Sequence, residues 1–298
     1  MRPAIASPAP RLAAIAAASV LALTAAACAP QDNTTSGGST SASGSASPSC
    51  TASGLGTQVK GKLTVGTDNP AYDPWFSGDN PSNGKGFESA VAYAVAKQLG
   101  YSKGDVVWQK VAFNNAFAPG AKSFDFDINQ VSINADRKKA VDFSSGYYDV
   151  RQAVVALKGS KAAEATSIAG LKKFKLGAQV GTTSLDYIND VIKPDQKPAV
   201  YQKNDLATSA LKNGQVDAIV YDLPTAFYIT SAEVTEAKIV GQFENSVGKP
   251  EHFGLVLDKG SSLTSCVSKA VDTLRKDGTL ASIEKQWLSD AVNAPVLK

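Results

Sequence analysis

Two α/β lobes are predicted for this chain, and three observations predict them. Short apolar strands alternate with helical stretches from about Val59 onward. The alternation occurs as two successive units of the same kind. The 298 residues suffice for two lobes of ordinary domain size, even after a leader and a polar segment are set aside.

The first unit opens with a strand at Lys62–Thr67 (KLTVGT). An amphipathic helix at Phe87–Leu99 follows and stops at Gly100. Val106–Val111 is a second strand. Phe124–Val131 alternates apolar and acidic residues and is expected as a third, with Asp125 and Asp127 facing solvent. The second unit has a strand at Phe174–Val180, a turn at Gly181–Thr183 and a helix at Ser184–Val191. A helix at Asp205–Asn213 and a strand at Val216–Val220 complete it. His252–Leu257 is again a strand, and helices near Ser262–Lys276 and Leu280–Leu288 close the chain.

Residues 1–27 have the form of a secretory signal: Arg2 and Arg11, then an apolar run from Leu12 to Ala27 that is too short to span a membrane. The run ends LTAAAC, which resembles a lipobox with Cys28 as the acylated first mature residue, although Ala25 stands where leucine is preferred. Plain export with Cys28 left free is the alternative. Residues 28–58 are rich in Ser, Gly, Thr and Ala, which bury too little surface to offset ordering entropy, so a disordered tether is expected. A coil of that kind between Cys28 and Cys50 reaches about 25–30 Å, enough to clear a membrane surface. In an exported chain Cys50 and Cys266 read as a disulfide; two free thiols are the alternative.

Composition excludes several functions. Arg2 and Arg11 are two of 30 basic residues, set against 27 acidic ones, so the exported chain is close to neutral. It has no basic block of the kind that binds nucleic acid. A single histidine, His252, excludes His-rich metal sites and argues against a Ser-His-Asp triad. No Walker loop, dinucleotide fingerprint or G-x-S-x-G is present, so no metal, cofactor or catalytic residue is expected.

The stretch Asn129–Tyr148, NQVSINADRKKAVDFSSGYY, is a poor pattern for a core and a good one for holding a small carboxylate. A guanidinium grips a carboxylate through two parallel hydrogen bonds, and a hydroxyl one turn earlier can fill a remaining lone pair. Ser132 followed five residues later by Arg137, and then by DFSSGYY, closely resembles the ligand-binding segment of the family 3 solute-binding proteins, the amino-acid-binding proteins of ABC importers. Asn134, where threonine is frequent, is a departure.

The resemblance implies a two-lobed type II periplasmic-binding-protein fold with two hinge crossings. Lobe 1 would comprise residues 59–151 and 252–298, and lobe 2 residues 152–251. It implies a carboxylate clamp of Arg137 and Ser132, with the Gly181-Thr182-Thr183 turn adding a donor from the other lobe, and Asp222 accepting the ligand's ammonium. Tyr72 and Phe113 would wall the ligand, although NPAYDPWF is one residue longer than usual and lets Trp75 replace Tyr72. Asp68 would meet a distal polar or basic group, and Asn129 and Gln130 would line the site through backbone carbonyls.

Each of these residues also has a structural reading. Arg137 opens an RKK run, Thr182 or Thr183 and Asp222 can cap helices, Tyr72 and Phe113 can be core aromatics, and Asp68 can fix its own loop. The implied function is capture of a polar or basic L-amino acid by a monomeric, lipid-anchored protein. The ligand would then pass to a membrane permease with its ATPase subunits. A cyclohexadienyl-dehydratase-like enzyme, with Asp68 or Glu88 as its acid, and an amino-acid sensor subunit are the competing readings.

Overall fold

The computed structural model describes residues 50–244, 251–288 and 294–298. The leader, Cys28 and the tether as far as residue 49 lie outside the described residues. Two sheets are formed. In the first half of the chain, β1 (Leu63–Thr67), β2 (Val106–Lys110), β3 (Phe126–Asp127) and β4 (Val141–Val150) precede a crossing at Arg151. Beyond it come β5 (Gln152–Leu157), β6 (Leu176–Gln179), β7 (Ala199–Tyr201), β8 (Ala218–Asp222) and β9 (Ala237–Phe243). β10 (Glu251–Asp258) returns to the first sheet, and β11 (Val296–Leu297) ends in the second. The helices are α1 (Phe87–Gln98), α2 (Phe113–Ala116), α3 (Arg137–Ala140), α4 (Ile168–Leu171), α5 (Thr183–Tyr187), α6 (Asn204–Lys212), α7 (Leu223–Tyr228), α8 (Thr264–Lys276) and α9 (Thr279–Leu288).

Sheet order is β2-β1-β3-β10-β4 in the first lobe and β11-β9-β5-β8-β6-β7 in the second. β1 lies parallel to β2 and β3, and β6 parallel to β7 and β8, whereas β10 and β5 run antiparallel to their neighbours. β5 (QAVVAL) is buried almost throughout because both faces of its sheet are covered, which is why it reads as a continuous apolar run. In the first lobe Leu63, Val65, Val91, Val95, Leu255 and Val271 meet in the core between the sheet and α1, α8 and α9.

Several expectations are corrected. The third strand shrinks from Phe124–Val131 to two residues, because the chain turns out of the sheet at Gln130, whose φ is 49°. Asp125 and Asp127 are buried, not solvent-facing. Asp125 accepts the backbone N–H groups of Gln58 (2.7 Å) and Thr64 (2.6 Å), so it ties the chain's entry to the first sheet. The helix expected at Ser184–Val191 is one α-helical turn followed by a wider π-type turn at Ile188–Ile192.

The chain's end differs too. Residues 294–298 do not stay in lobe 1: Val296 and Leu297 pair with Gln242 and Phe243 in the second sheet. Leu297 is buried against that lobe's core, and this apolar anchor explains the switch. Residues 50–58, which composition placed in the tether, also lie on the first lobe, with Cys50, Ala52 and Leu55 packed on its core.

Cys50 and Cys266 form a disulfide that closes a separation of 216 residues. A cross-link over so long a loop restricts the unfolded chain strongly. Replacing Cys50 by Ser together with Cys266 by Ala is expected to lower unfolding free energy by about 2–5 kcal/mol, measured by urea unfolding. Ligand affinity is expected to stay within about twofold, because neither cysteine lines the ligand cavity.

Candidate functional site

The parallel strands of both sheets point their carboxyl ends at one cleft, which is where open α/β sheets place ligands. After β1 come Asp68 and Tyr72, after β2 Phe113, and after β3 Asn129 and Gln130. Across the gap stand Gln179 at the end of β6, Thr182 and Thr183 after it, Asn204 after β7, and Asp222 at the end of β8. With Arg137, these residues line a single cavity. Ser132 does not line it; it stands one layer behind, paired with Phe253 in an isolated bridge. Gln179 and Asn204 carry no motif and were not anticipated.

Arg137 is 7% exposed. Its Nη1 donates to the Ser132 carbonyl at 2.7 Å, and its Nη2 donates across the cleft to the Gly181 carbonyl at 2.8 Å. The guanidinium lies 4.3 Å from the centroid of Phe117 and 5.7 Å from that of Phe113. Burial lowers its pKa to about 10, still far above neutrality, so the cleft holds a fixed cation. Asn134, the departure noted in the motif, accepts the Arg137 N–H at 2.8 Å and thereby starts α3 where the guanidinium needs it.

Gly181 has a φ of 75°, and a Cβ there would come within 2.2 Å of the Asn114 side-chain oxygen. The positive φ favours glycine here, and any other residue would also have to displace the Asn114 amide. Thr182 caps α5, accepting from the Leu185 N–H at 3.2 Å while its hydroxyl donates to the Gln179 carbonyl. Thr183 and Ser132, from opposite lobes, both donate their hydroxyl hydrogens to Glu251, the first residue of β10. With its hydrogen committed, Thr183, which lines the cavity, has only lone pairs left for a ligand, and Ser132 is not at the cavity to share the carboxylate with Arg137.

Gln152, the first residue after the Arg151 crossing, donates to Asp222 at 2.6 Å and to Glu251 at 3.3 Å, and accepts from Ser184. Burial, and next the nearby Glu251 carboxylate, push Asp222 up to about 8. Of this part-buried carboxyl pair, Glu251 has the Ser132 and Thr183 hydroxyls, whereas Asp222 is bonded to the Gln152 amide, and a cation beside Asp222 would relieve the repulsion. Gln152 and Glu251 head the two crossing strands. They were missed because their partners lie up to 119 residues away in sequence.

Asp68 is half-buried, and burial raises its pKa. The Asn129 side-chain nitrogen is buried and has no hydrogen-bond partner among the described residues. Trp75 does not reach the cleft: it is fully buried, edge-on to Phe87, Tyr148 and Phe253 at 5.6–5.9 Å. Its indole N–H donates to Thr225 of the other lobe at 2.9 Å, which leaves Tyr72 as the cavity's wall. Glu88 lies behind Gln130, fully buried, and burial pushes it up to about 7 although Tyr147 and Gln130 donate to it. His252 bonds Asp149 at 2.6 Å on the outer part of β10, away from this cavity.

Comparison with known proteins settles the lineage. A family model described as bacterial extracellular solute-binding proteins, family 3, matches residues 63–290. The chain belongs to this family. It is 30% identical over 247 residues to the L-cystine-binding protein TcyJ of Escherichia coli K12, covering 78% of this chain and 86% of that protein. An ancestral arginine-binding protein solved with arginine bound shares 32% identity at a TM-score of 0.64, over 76% of this chain and 98% of the other. AncCDT-1, an ancestral amino acid-binding protein described as a precursor of cyclohexadienyl dehydratase, shares 28% identity at a TM-score of 0.62. That match covers 76% of this chain and 95% of the other. The family 3 solute-binding protein described here thus has the two-lobed type II fold of its relatives, and amino-acid binding is the activity that their names carry. No helix among the described residues is long and apolar enough to cross a membrane.

Proposed function

We propose that this family 3 protein captures a polar or basic L-amino acid between its lobes and delivers it to an ABC permease. The observation that carries the reading is a fixed cation and a cation-seeking carboxyl, Arg137 and Asp222, contributed by different lobes to one cavity. A zwitterion satisfies both. Arg137 takes the ligand carboxylate, and Asp222 takes the ammonium, whose charge offsets the Asp222–Glu251 repulsion. Because the two groups come from different lobes, only the closed state rewards the ligand fully, and that difference drives closure.

The side-chain slot runs toward Asp68, Tyr72 and Phe113. A carboxyl there suits a distal amide or cation, and the unpartnered Asn129 amide adds a second polar contact. Acylation at Cys28 would hold the monomeric protein at the outer face of the membrane, beside the permease and its ATPase subunits.

Of the two acids the dehydratase alternative could use, Glu88 is held behind Gln130 while Asp68 lines the cavity, so turnover of a prephenate-like substrate is what would favour that reading. A thermal-shift screen of the twenty amino acids with citrulline, ornithine and cystine tests the reading. Polar or basic amino acids are expected to raise the midpoint by several degrees, as ligand present at 100 times Kd adds about 2.7 kcal/mol. Stabilisation by acidic amino acids alone would remove Asp68 from its assigned role, and stabilisation by none would defeat the proposal.

A further inference from the structure

Gln130 is the residue of the cleft wall whose conformation most needs explaining. Its φ of 49° places a side-chain-bearing L-residue in the left-handed region, which is unfavourable unless the surroundings fix it. Two bonds fix it here. Its backbone N–H donates to one Glu88 carboxylate oxygen at 2.8 Å, and its side-chain amide donates to the other. The Tyr147 hydroxyl donates to the first oxygen as well.

Glu88 sits in the first turn of α1 with no exposed surface, and it does not line the ligand cavity; Gln130 does. A carboxylate buried away from water needs partners, and three donors converge on this one. Two of the three belong to the single strained residue. The turn they hold ends β3 early and brings Asn129 and Gln130 into the cavity wall, just ahead of Ser132 and Arg137.

We propose that Glu88 is a positioning residue for ligand binding, clamping Gln130 by its backbone N–H and its side-chain amide in the left-handed conformation that builds this wall. The inference rests on the amino-acid-binding reading above for its ligand and on the hydrogen bonds alone for its clamp. Its distinguishing consequence is coupling. Glycine at 130 adopts a positive φ without help, so it makes the clamp unnecessary. Glutamine at 88 offers one uncharged acceptor group in place of a carboxylate, so it keeps the side-chain contact only if the Gln130 amide reverses, and it no longer draws the three donors together.

The test is a double-mutant cycle of E88Q, Q130G and the double variant in the full chain, titrated calorimetrically with L-arginine, L-glutamine and L-cystine. E88Q is expected to stay folded and lose affinity by at least about tenfold, since the strained turn must be re-formed on binding. Q130G also removes a cavity-lining side chain, so its own affinity sets the reference, and E88Q added to it is expected to cost less than about threefold more. Equal losses in both backgrounds, or unchanged affinity in folded E88Q, would overturn the clamp. If wild type binds none of the three ligands, the ligand assignment is what fails. The clamp is then decided by hydrogen exchange at the Gln130 amide, which is expected to speed up about tenfold or more in E88Q; an unchanged rate would overturn it.

Discussion

Replacing Arg137 by alanine is expected to weaken amino-acid binding at least about a hundredfold, because truncating one partner of a buried charge pair costs roughly 2–5 kcal/mol. The setting of the side chain gives the reason. Arg137 is 7% exposed, its guanidinium lies 4.3 Å from the Phe117 ring centroid, and it is aimed by the Ser132 and Gly181 carbonyls, so it meets a ligand with little freedom left to lose. Alanine would leave a ligand carboxylate desolvated and unpaired. It would also remove the bond to Gly181 that spans the lobes. Lysine at 137 is expected to recover only part of the loss, since a point charge cannot reproduce the two-pronged fork. Calorimetry on folded R137A showing near-normal affinity would move the carboxylate site elsewhere.

Much of the cleft was legible because its chemistry is local. Ser132, Asn134 and Arg137 fall within six residues, and Asp222 and the Gly181–Thr183 turn each follow a strand whose apolar run marks its end. What escaped was set by distance or by ambiguity of face. Glu251 and Gln152 form the layer behind the cavity, yet neither sits in a motif, and their bonds join segments 31 to 119 residues apart. The stretch Asn129–Tyr148 read as a poor core pattern, and its last two residues depart from that reading. Tyr147 and Tyr148 pack in the first lobe's core, where Tyr147 also supports Glu88. Trp75 behaves alike: in sequence it rivals Tyr72 for the ligand, and in the fold it joins the lobes through Thr225.

Asp127 shows the face ambiguity most sharply, and it yields the other large expected effect. A period of two in Phe124–Asp127 says that alternate residues share a face; it does not say which face is wet. β3 lies inside its sheet between β1 and β10, with core on both sides, so neither face is wet. Asp127 is 0% exposed, pairs with Gly66 and Val256 in the sheet, and neither of its carboxyl oxygens has a hydrogen-bond partner among the described residues. Lys122 is close enough to attract it but spends its ammonium on the Asn115 and Ala118 carbonyls. Burial, reinforced by Glu88 and Asp68, therefore holds the Asp127 carboxyl protonated well above the usual range.

The folded state thus keeps a proton that the unfolded chain releases near pH 4. Folding stability is favoured below that pH and falls as pH rises toward the folded pKa. Asp127→Val puts a strand-favouring apolar side chain among Val111, Val256 and Phe124, and is expected to stabilise the protein at pH 7 by roughly 2 kcal/mol. It is also expected to flatten the decline of stability between about pH 4 and 7, leaving the smaller slope due to Glu88 and Asp222. Urea unfolding of both proteins across that range decides the matter. A destabilised variant with the wild-type pH slope would mean that the Asp127 carboxyl is ionised and satisfied by something in solution.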